Sequence, residues 1–198
     1  VRQITDGTYW PSTGGGFEYQ WSPDSKWFTL SFTGNKHDPY YDIGIVSAQG
    51  GEITNLTNSG YSSGSPAWTM DGNAILFTSE RYGMRNHASW GSMEDVFLCF
   101  VNQDAYDKYR LSKEDYELLK EVEKEQEKLK KDAKKTDDKK DAKKDEKKDA
   151  VKDIVMELDG IQDRIVRLTP NSSSLGSAII DKKGETLYYT ASFEKGMD

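Results

Sequence analysis

The sequence predicts an all-β fold, a partial β-propeller of four-stranded antiparallel blades, with a charged helical or disordered insertion inside one blade. The first observation is a repeat. Trp21-Ser22-Pro23-Asp24-Ser25-Lys26-Trp27 runs into Phe28-Thr29-Leu30-Ser31-Phe32, and Trp68-Thr69-Met70-Asp71-Gly72-Asn73 runs into Ala74-Ile75-Leu76-Phe77-Thr78-Ser79. The paired tryptophans and the paired aspartates are each 47 residues apart. The second observation is that every copy has one design: a β-rich run, a turn carrying Asp with Ser or Gly, and a second β-rich run, which is a hairpin. The third is that the charge is concentrated in one block.

Each element follows in order. Val1-Arg2-Gln3-Ile4-Thr5 reads as the last strand of a preceding unit. The first full unit runs from about Phe17 to Thr57, its third strand being Tyr41 to Val46 and its fourth Glu52 to Thr57. The second unit runs from about Ser65 to Thr169, with a third strand at Glu94 to Leu98 and a fourth at Asp163 to Thr169. A third copy begins at Ala178-Ile179-Ile180-Asp181-Lys182-Lys183-Gly184 and continues through Thr186-Leu187-Tyr188-Tyr189-Thr190. Four antiparallel strands in a unit of about 40–50 residues is the signature of a propeller blade. A generic β-sandwich would not repeat the Trp-x-x-Asp turn in register. Because propellers close with about four to eight blades, the count leads us to expect a segment of a longer protein. An isolated arc of this kind exposes sheet faces that expect neighbours and is expected to be marginal or self-associating.

Residues 1–101 and 160–198 are thus expected to form blades, and 102–159 the insertion. The chain has 198 residues, 31% of them charged and 35% apolar, a low apolar share for a globule. Between Ser112 and Asp153 lie 15 Lys and 15 Asp or Glu, so this block cancels and the net charge of −7 belongs to the remaining 156 residues. Neither part offers the basic face that phosphate neutralisation needs, which argues against a nucleic-acid partner. No apolar run approaches the roughly 18–20 residues of a membrane span. No targeting segment is visible ahead of the first strand.

The insertion should open as a helix. Ser112 is placed to cap it, Asp115 follows three residues later as in a capping box, and Leu111 with Tyr116 forms a staple. Tyr116, Leu119, Val122 and Leu129, with Leu118 beside them, recur at helical spacing. Beyond Leu129 only alanines separate the charges, and such a segment reads as a solvated, fraying helix or a disordered tether.

Candidate chemistry is sparse. Cys99 sits in the apolar run Val96 to Val101, as a buried inert thiol would, and a single cysteine excludes an internal disulfide and a cysteine-cluster metal site. Gly60-Tyr61-Ser62-Ser63-Gly64 matches the nucleophile-elbow string but leads toward a strand, whereas an elbow serine needs a helix after it. His37 and His87, the two histidines, have no second ligand or base at a useful spacing. Gly14-Gly15-Gly16 opens no helix, so it is no phosphate loop. The sequons at Asn55 and Asn171 are read as accidental. We therefore expect no catalytic residue, no metal and no cofactor in this chain. The loop Ser79 to Gly91 is long for a hairpin and mixes guanidinium, aromatic and glycine groups that can hold a peptide carboxylate or stack. Its Arg81, Arg85, His87 and Trp90 are the candidate substrate-binding residues, set against the plainer reading that Trp90 packs on the blade and the arginines stay wet or pair with Glu80.

The motif Trp21 to Trp27 resembles the blade motif of TolB and of the propellers of tricorn-like proteases. Asp42-Ile43 with Gly50-Gly51, ending in Leu56-Thr57, fits the same pattern. The combination of Ser79-Glu80-Arg81, Trp90-Gly91-Ser92, Asp104-Ala105-Tyr106-Asp107, the Lys-rich insertion and Arg164 to Thr169 looks closer to the tricorn-like S41 peptidases of bacteria. The resemblance implies a propeller segment preceding a serine peptidase module, restricting or guiding peptides toward a separate active site. None of that family's catalytic residues has a counterpart here, so the chain itself should not hydrolyse peptides. Its implied partners are peptides or unfolded proteins, and further blades and a peptidase module of the same chain. The implied compartment is the periplasm, with the cytoplasm as the alternative. A TolB-like propeller serving as a protein–protein interaction module is the other function carried forward.

Overall fold

The computed structural model describes residues 1–9, 18–34, 40–84, 92–137 and 152–192. Strands β1 (Tyr19–Trp21), β2 (Trp27–Phe32), β3 (Asp42–Ser47) and β4 (Thr54–Asn55) form one antiparallel sheet in the order β1-β2-β3-β4. Strands β5 (Ser63–Thr69), β6 (Ala74–Ser79), β7 (Asp95–Phe100) and β8 (Ile165–Arg167) form a second in the order β5-β6-β7-β8. Strands β9 (Ser174–Ile180) and β10 (Leu187–Ser192) pair as an antiparallel hairpin. The two meanders are the blades that the repeat predicts. Trp21 pairs with Phe28 and Trp68 with Ile75, so the repeat holds at the level of register.

Val1–Thr5 is not a strand. Instead of entering a ladder, Ile4 packs against Leu30, Phe32 and Val46, and its carbonyl accepts the Gly51 N–H at 3.1 Å.

The repeated turns are built differently. In the first, the Ser22 hydroxyl accepts the Lys26 and Trp27 N–H groups and donates to Asp24 at 2.6 Å. In the second, Met70, Asp71 and Gly72 all have positive φ, at 50, 53 and 90°. Gly72 is needed there twice over: its φ suits no side chain, and a Cβ would lie 2.5 Å from Ile154 Cδ1.

Strand alternation puts Ile43, Ile45 and Leu56 of the first blade in one cluster with Ile75, Phe77, Phe97 and Cys99 of the second. Trp27 and Trp68 pack on it from opposite sheets. Ile154, Met156 and Leu158 close the same core, while Val155 and Glu157 between them are exposed. This returning segment is tied to both blades. The Ile154 N–H donates to Asp24 at 2.9 Å, Lys26 pairs with Asp153 at 2.6 Å, and the Glu157 N–H donates to the Val101 carbonyl at 2.9 Å. Arg164, buried beneath, donates to the carbonyls of Phe100, Asp159 and Glu157.

The chain divides into two compact units, Val1–Ala105 with Lys152–Asp198, and Tyr106–Val151. Helices α1 (Gln103–Tyr109) and α2 (Lys113–Asp137) are the α-helices among the described residues. The start of α2 is the one its sequence specifies: Ser112 accepts the Asp115 N–H at 3.1 Å and donates to the Asp115 carboxylate at 2.8 Å. The helix continues eight residues past Leu129 despite the loss of apolar positions, because Lys and Ala, five of those eight, are good helix formers in water.

Candidate functional site

Each blade carries a buried aspartate at the start of its third strand. Asp42 accepts the Thr57 hydroxyl at 2.6 Å, the Asn55 amide at 2.9 Å and the Ser59 N–H at 3.0 Å. Asp95 accepts the hydroxyls of Thr169 and Ser172, both at 2.7 Å, and the Arg167 guanidinium at 2.8 Å. In both, the threonine hydroxyl also accepts the N–H of the residue after the aspartate, Ile43 or Val96. This clasp joins the third and fourth strands and keeps a buried carboxylate satisfied.

The second clasp builds a surface site. Arg167, fixed on Asp95, lies 5.4 Å from the Tyr82 ring centroid, and Arg81 lies 5.6 Å from the same ring. Tyr82 is 58% exposed and sits 6.0 Å from Phe97, which stacks on Phe77 at 5.4 Å. Two guanidiniums thus flank an exposed aromatic ring resting on the core, an arrangement held by cation–π attraction. The loop is pinned beneath it. The Ser79 hydroxyl accepts the Arg81 N–H, the Gly83 N–H donates to Glu80, and the Met93 N–H donates to Met84. Gly83 is required by this approach, since a Cβ there would collide with the Met93 carbonyl.

Beside Arg81 is a small recess, with room for about one water molecule, lined by Thr57, Ser59, Ser63, Phe77, Ser79, Phe97 and Ile165. Its hydroxyl protons are directed into the protein: Thr57 donates to Asp42, Ser59 to the Tyr61 carbonyl, Ser63 to Ser79, and Ser79 to the Ser62 carbonyl. The recess therefore offers oxygen lone pairs, a guanidinium and an apolar floor. A single N–H or carbonyl of a chain lying across its mouth can meet these groups.

Carboxylates gather nearby. Glu80 is buried and accepts the Ser62 N–H at 3.2 Å, and Glu18 accepts the Ser65 N–H at 2.8 Å. Burial, then the charges of Glu80 and Glu18, hold the Glu94 carboxyl above the ordinary glutamate range. Asp24 is shifted the other way. Burial alone would raise it, but the Ser22 hydroxyl and the Ile154 and Lys26 N–H groups outweigh that and stabilise its anion.

Of the residues expected to bind substrate, Arg81 lines the recess. Arg85, His87 and Trp90 lie outside the described residues, as do His37 and Gly14–Gly16. Cys99 is fully buried, and burial pushes its thiol up to about 12, so it is no nucleophile. Ser62 of the Gly60 to Gly64 string leads into strand β5, with its backbone spent on Glu80 and Ser79. Among the described residues no group of His, Cys, Asp or Glu is placed to hold a metal, and no helix is long and apolar enough to cross a membrane. Tyr82, Asp95 and Arg167 were not singled out from the sequence. The recurrence of Asp42 and Asp95 one residue into the third strand of each unit, each answered by a threonine at the end of the fourth, was the available signal.

No protein-family model matches the chain. Over 59 residues, 30% of this chain and 9% of the relative, it is 37% identical to the uncharacterized peptidase YuxL of Bacillus subtilis (strain 168). A crystal structure of the tricorn protease resembles it with a TM-score of 0.46 and 10% sequence identity, over 82% of this chain and 14% of that one. The chain thus spans only 9% and 14% of the lengths of these two proteins.

Proposed function

We infer that the chain is a non-catalytic β-propeller portion of a tricorn-like serine peptidase, holding and guiding peptides toward an S41-type active site that lies elsewhere in the parent protein. The observation that carries this reading is the surface cluster of Arg81, Tyr82 and Arg167, of which Arg81 also lines the small recess between the blades. Together they offer acceptors, cations and an apolar floor to a peptide, and they contain no activated nucleophile among the described residues. The identity to YuxL over 59 residues is consistent with a peptidase context. The guiding role assigns transient binding to this surface, because a gate must release what it holds.

Peptide hydrolysis by the parent protein and by this chain, each with and without a serine-directed phosphonate, tests the reading. The parent should cleave unstructured peptides, lose activity to the phosphonate and carry the label outside this segment, while the 198-residue chain neither cleaves nor labels. A parent that binds peptides tightly and never cleaves them would favour the TolB-like interaction module instead.

A further inference from the structure

Helix α2 leaves an apolar stripe open to water. Leu118, Val122 and Leu129 are 61%, 43% and 70% exposed, and with exposed Glu125 between them they share one face of the helix. Helix α1 takes a different flank, where Lys108 pairs with Glu123 at 2.8 Å. The stripe follows the a and d positions of a heptad, with Val122 and Leu129 at a, and Leu118 and Glu125 at d. Glu121 and Lys128, both exposed, then occupy the g positions that flank it. The unit Tyr106–Val151, to which α2 belongs, supplies no strand to either blade among the described residues, so further blades extend the sheets without calling on this stripe.

Charge is segregated along the helix. By sequence, residues 113–127 hold seven acidic side chains and three lysines, a net charge of −4, and residues 128–135 hold five lysines and one aspartate, a net charge of +4. The helix macrodipole favours such polarity only in the first and last turns. Glu121 and Lys128 lie about two turns inside either end, beyond that reach.

We propose that α2 pairs antiparallel with the α2 of a second copy of this chain, stripe on stripe. A copy is the occupant because the pattern complements itself about a two-fold axis. When Val122 lies against Glu125 of the second copy, Leu118 meets Leu129 and Glu121 meets Lys128, each contact occurring twice. The parallel arrangement would instead set Glu125 on Glu125 and one acidic half on the other. The seam is short, about 17 Å from Leu118 to Leu129 at 1.5 Å per residue, so the pairing is weak and reversible and grows with concentration.

Cross-linking of the 198-residue chain through introduced cysteines tests this, and it reads the helix apart from any contact made by open sheet faces. Leu118→Cys and Leu129→Cys are made as separate single variants at exposed positions, and the native Cys99 is buried. Under mild oxidation at high concentration, a one-to-one mixture should give the mixed disulfide dimer as its main product. Either variant alone should stay mostly monomeric, because antiparallel pairing sets each cysteine against a leucine. Adding Glu121→Lys to both proteins should slow the mixed cross-link about tenfold, since the two-fold axis doubles the change of sign, and adding Lys128→Glu as well should restore it. Far-UV circular dichroism matching the wild type establishes that the variants fold. A mixture that yields no more mixed dimer than random collision overturns the proposal. So do homodimers of Leu118→Cys as the main product, which would mean a parallel pair, or a cross-linking rate indifferent to Glu121→Lys.

Discussion

Replacing Asp95 by alanine should destabilise the second blade severely, and the structure sets the size of the effect. Asp95 is fully buried, accepts two hydroxyls at 2.7 Å, and pairs with Arg167 at 2.8 Å. Removing one partner of a buried ion pair costs about 3–5 kcal/mol, because the other charge is stranded. Two features pull in opposite directions here. The Arg167 side chain is 33% exposed and can recover water, which favours the low end. Thr169 is 3% exposed and loses the acceptor for its hydroxyl, adding about 1–3 kcal/mol. We therefore expect about 4 kcal/mol, and at roughly 2–4 °C per kcal/mol for a domain of this size, a fall in Tm of about 8–16 °C. Thermal denaturation followed by near-UV circular dichroism reads the change. A double-mutant cycle of Asp95→Ala with Thr169→Val should show coupling of at least about 0.5 kcal/mol. A melting temperature for Asp95→Ala within about 2 °C of wild type would refute the clasp as a source of stability.

Other outcomes follow from the same geometry. Burial, with Glu80 and Glu18 nearby, holds Glu94 above the ordinary glutamate range, so folding favours its protonated form. That contribution is complete below the ordinary glutamate value and disappears as pH rises through the raised one. Glu94→Gln should therefore raise Tm at neutral pH and leave it nearly unchanged in acid, measured by melts across pH. Asp24 has the opposite sign: its contribution should be present above the ordinary aspartate value and fade as pH falls through the lowered one, so Asp24→Asn should flatten the acid limb of the same melts. Gly72→Ala combines a φ of 90° with a collision at Ile154 and should cost more than about 1 kcal/mol, part of it recovered in an Ile154→Ala background. Cys99 should react with a thiol reagent only at the rate of unfolding, because its thiol is buried and pushed up to about 12.

The blades were legible because a strand records its pairing locally. The β-rich runs Trp27–Phe32 and Ala74–Ser79, and turns that demand Asp, Ser or Gly, are set within a few residues. The cap of α2 was legible for the same reason, since Ser112 and Asp115 meet within one turn. Val1–Thr5 has the composition of a strand, but composition does not supply a partner, and Ile4 packs as a side chain on the sheet face instead. The site was harder to read. Arg81 could be picked out from its loop, but Arg167 reaches Tyr82 from beyond the insertion, and its pairing with Asp95 spans 72 residues. Likewise, the alternation Ile154, Met156, Leu158 closes the core directly after a run of charge that hides it. In each case the missing information was a long-range contact, which local pattern does not encode.

The most direct test is a fluorescence-anisotropy titration of a labelled unstructured peptide with the 198-residue chain, comparing wild type with Arg81→Ala. Arg81 is exposed and its loss should leave the fold intact, so any change reports on the recess. The account predicts saturable binding by the wild type, weakened about tenfold or more in Arg81→Ala, with the peptide recovered intact. Equal binding by the two proteins, or no binding by either, would contradict it.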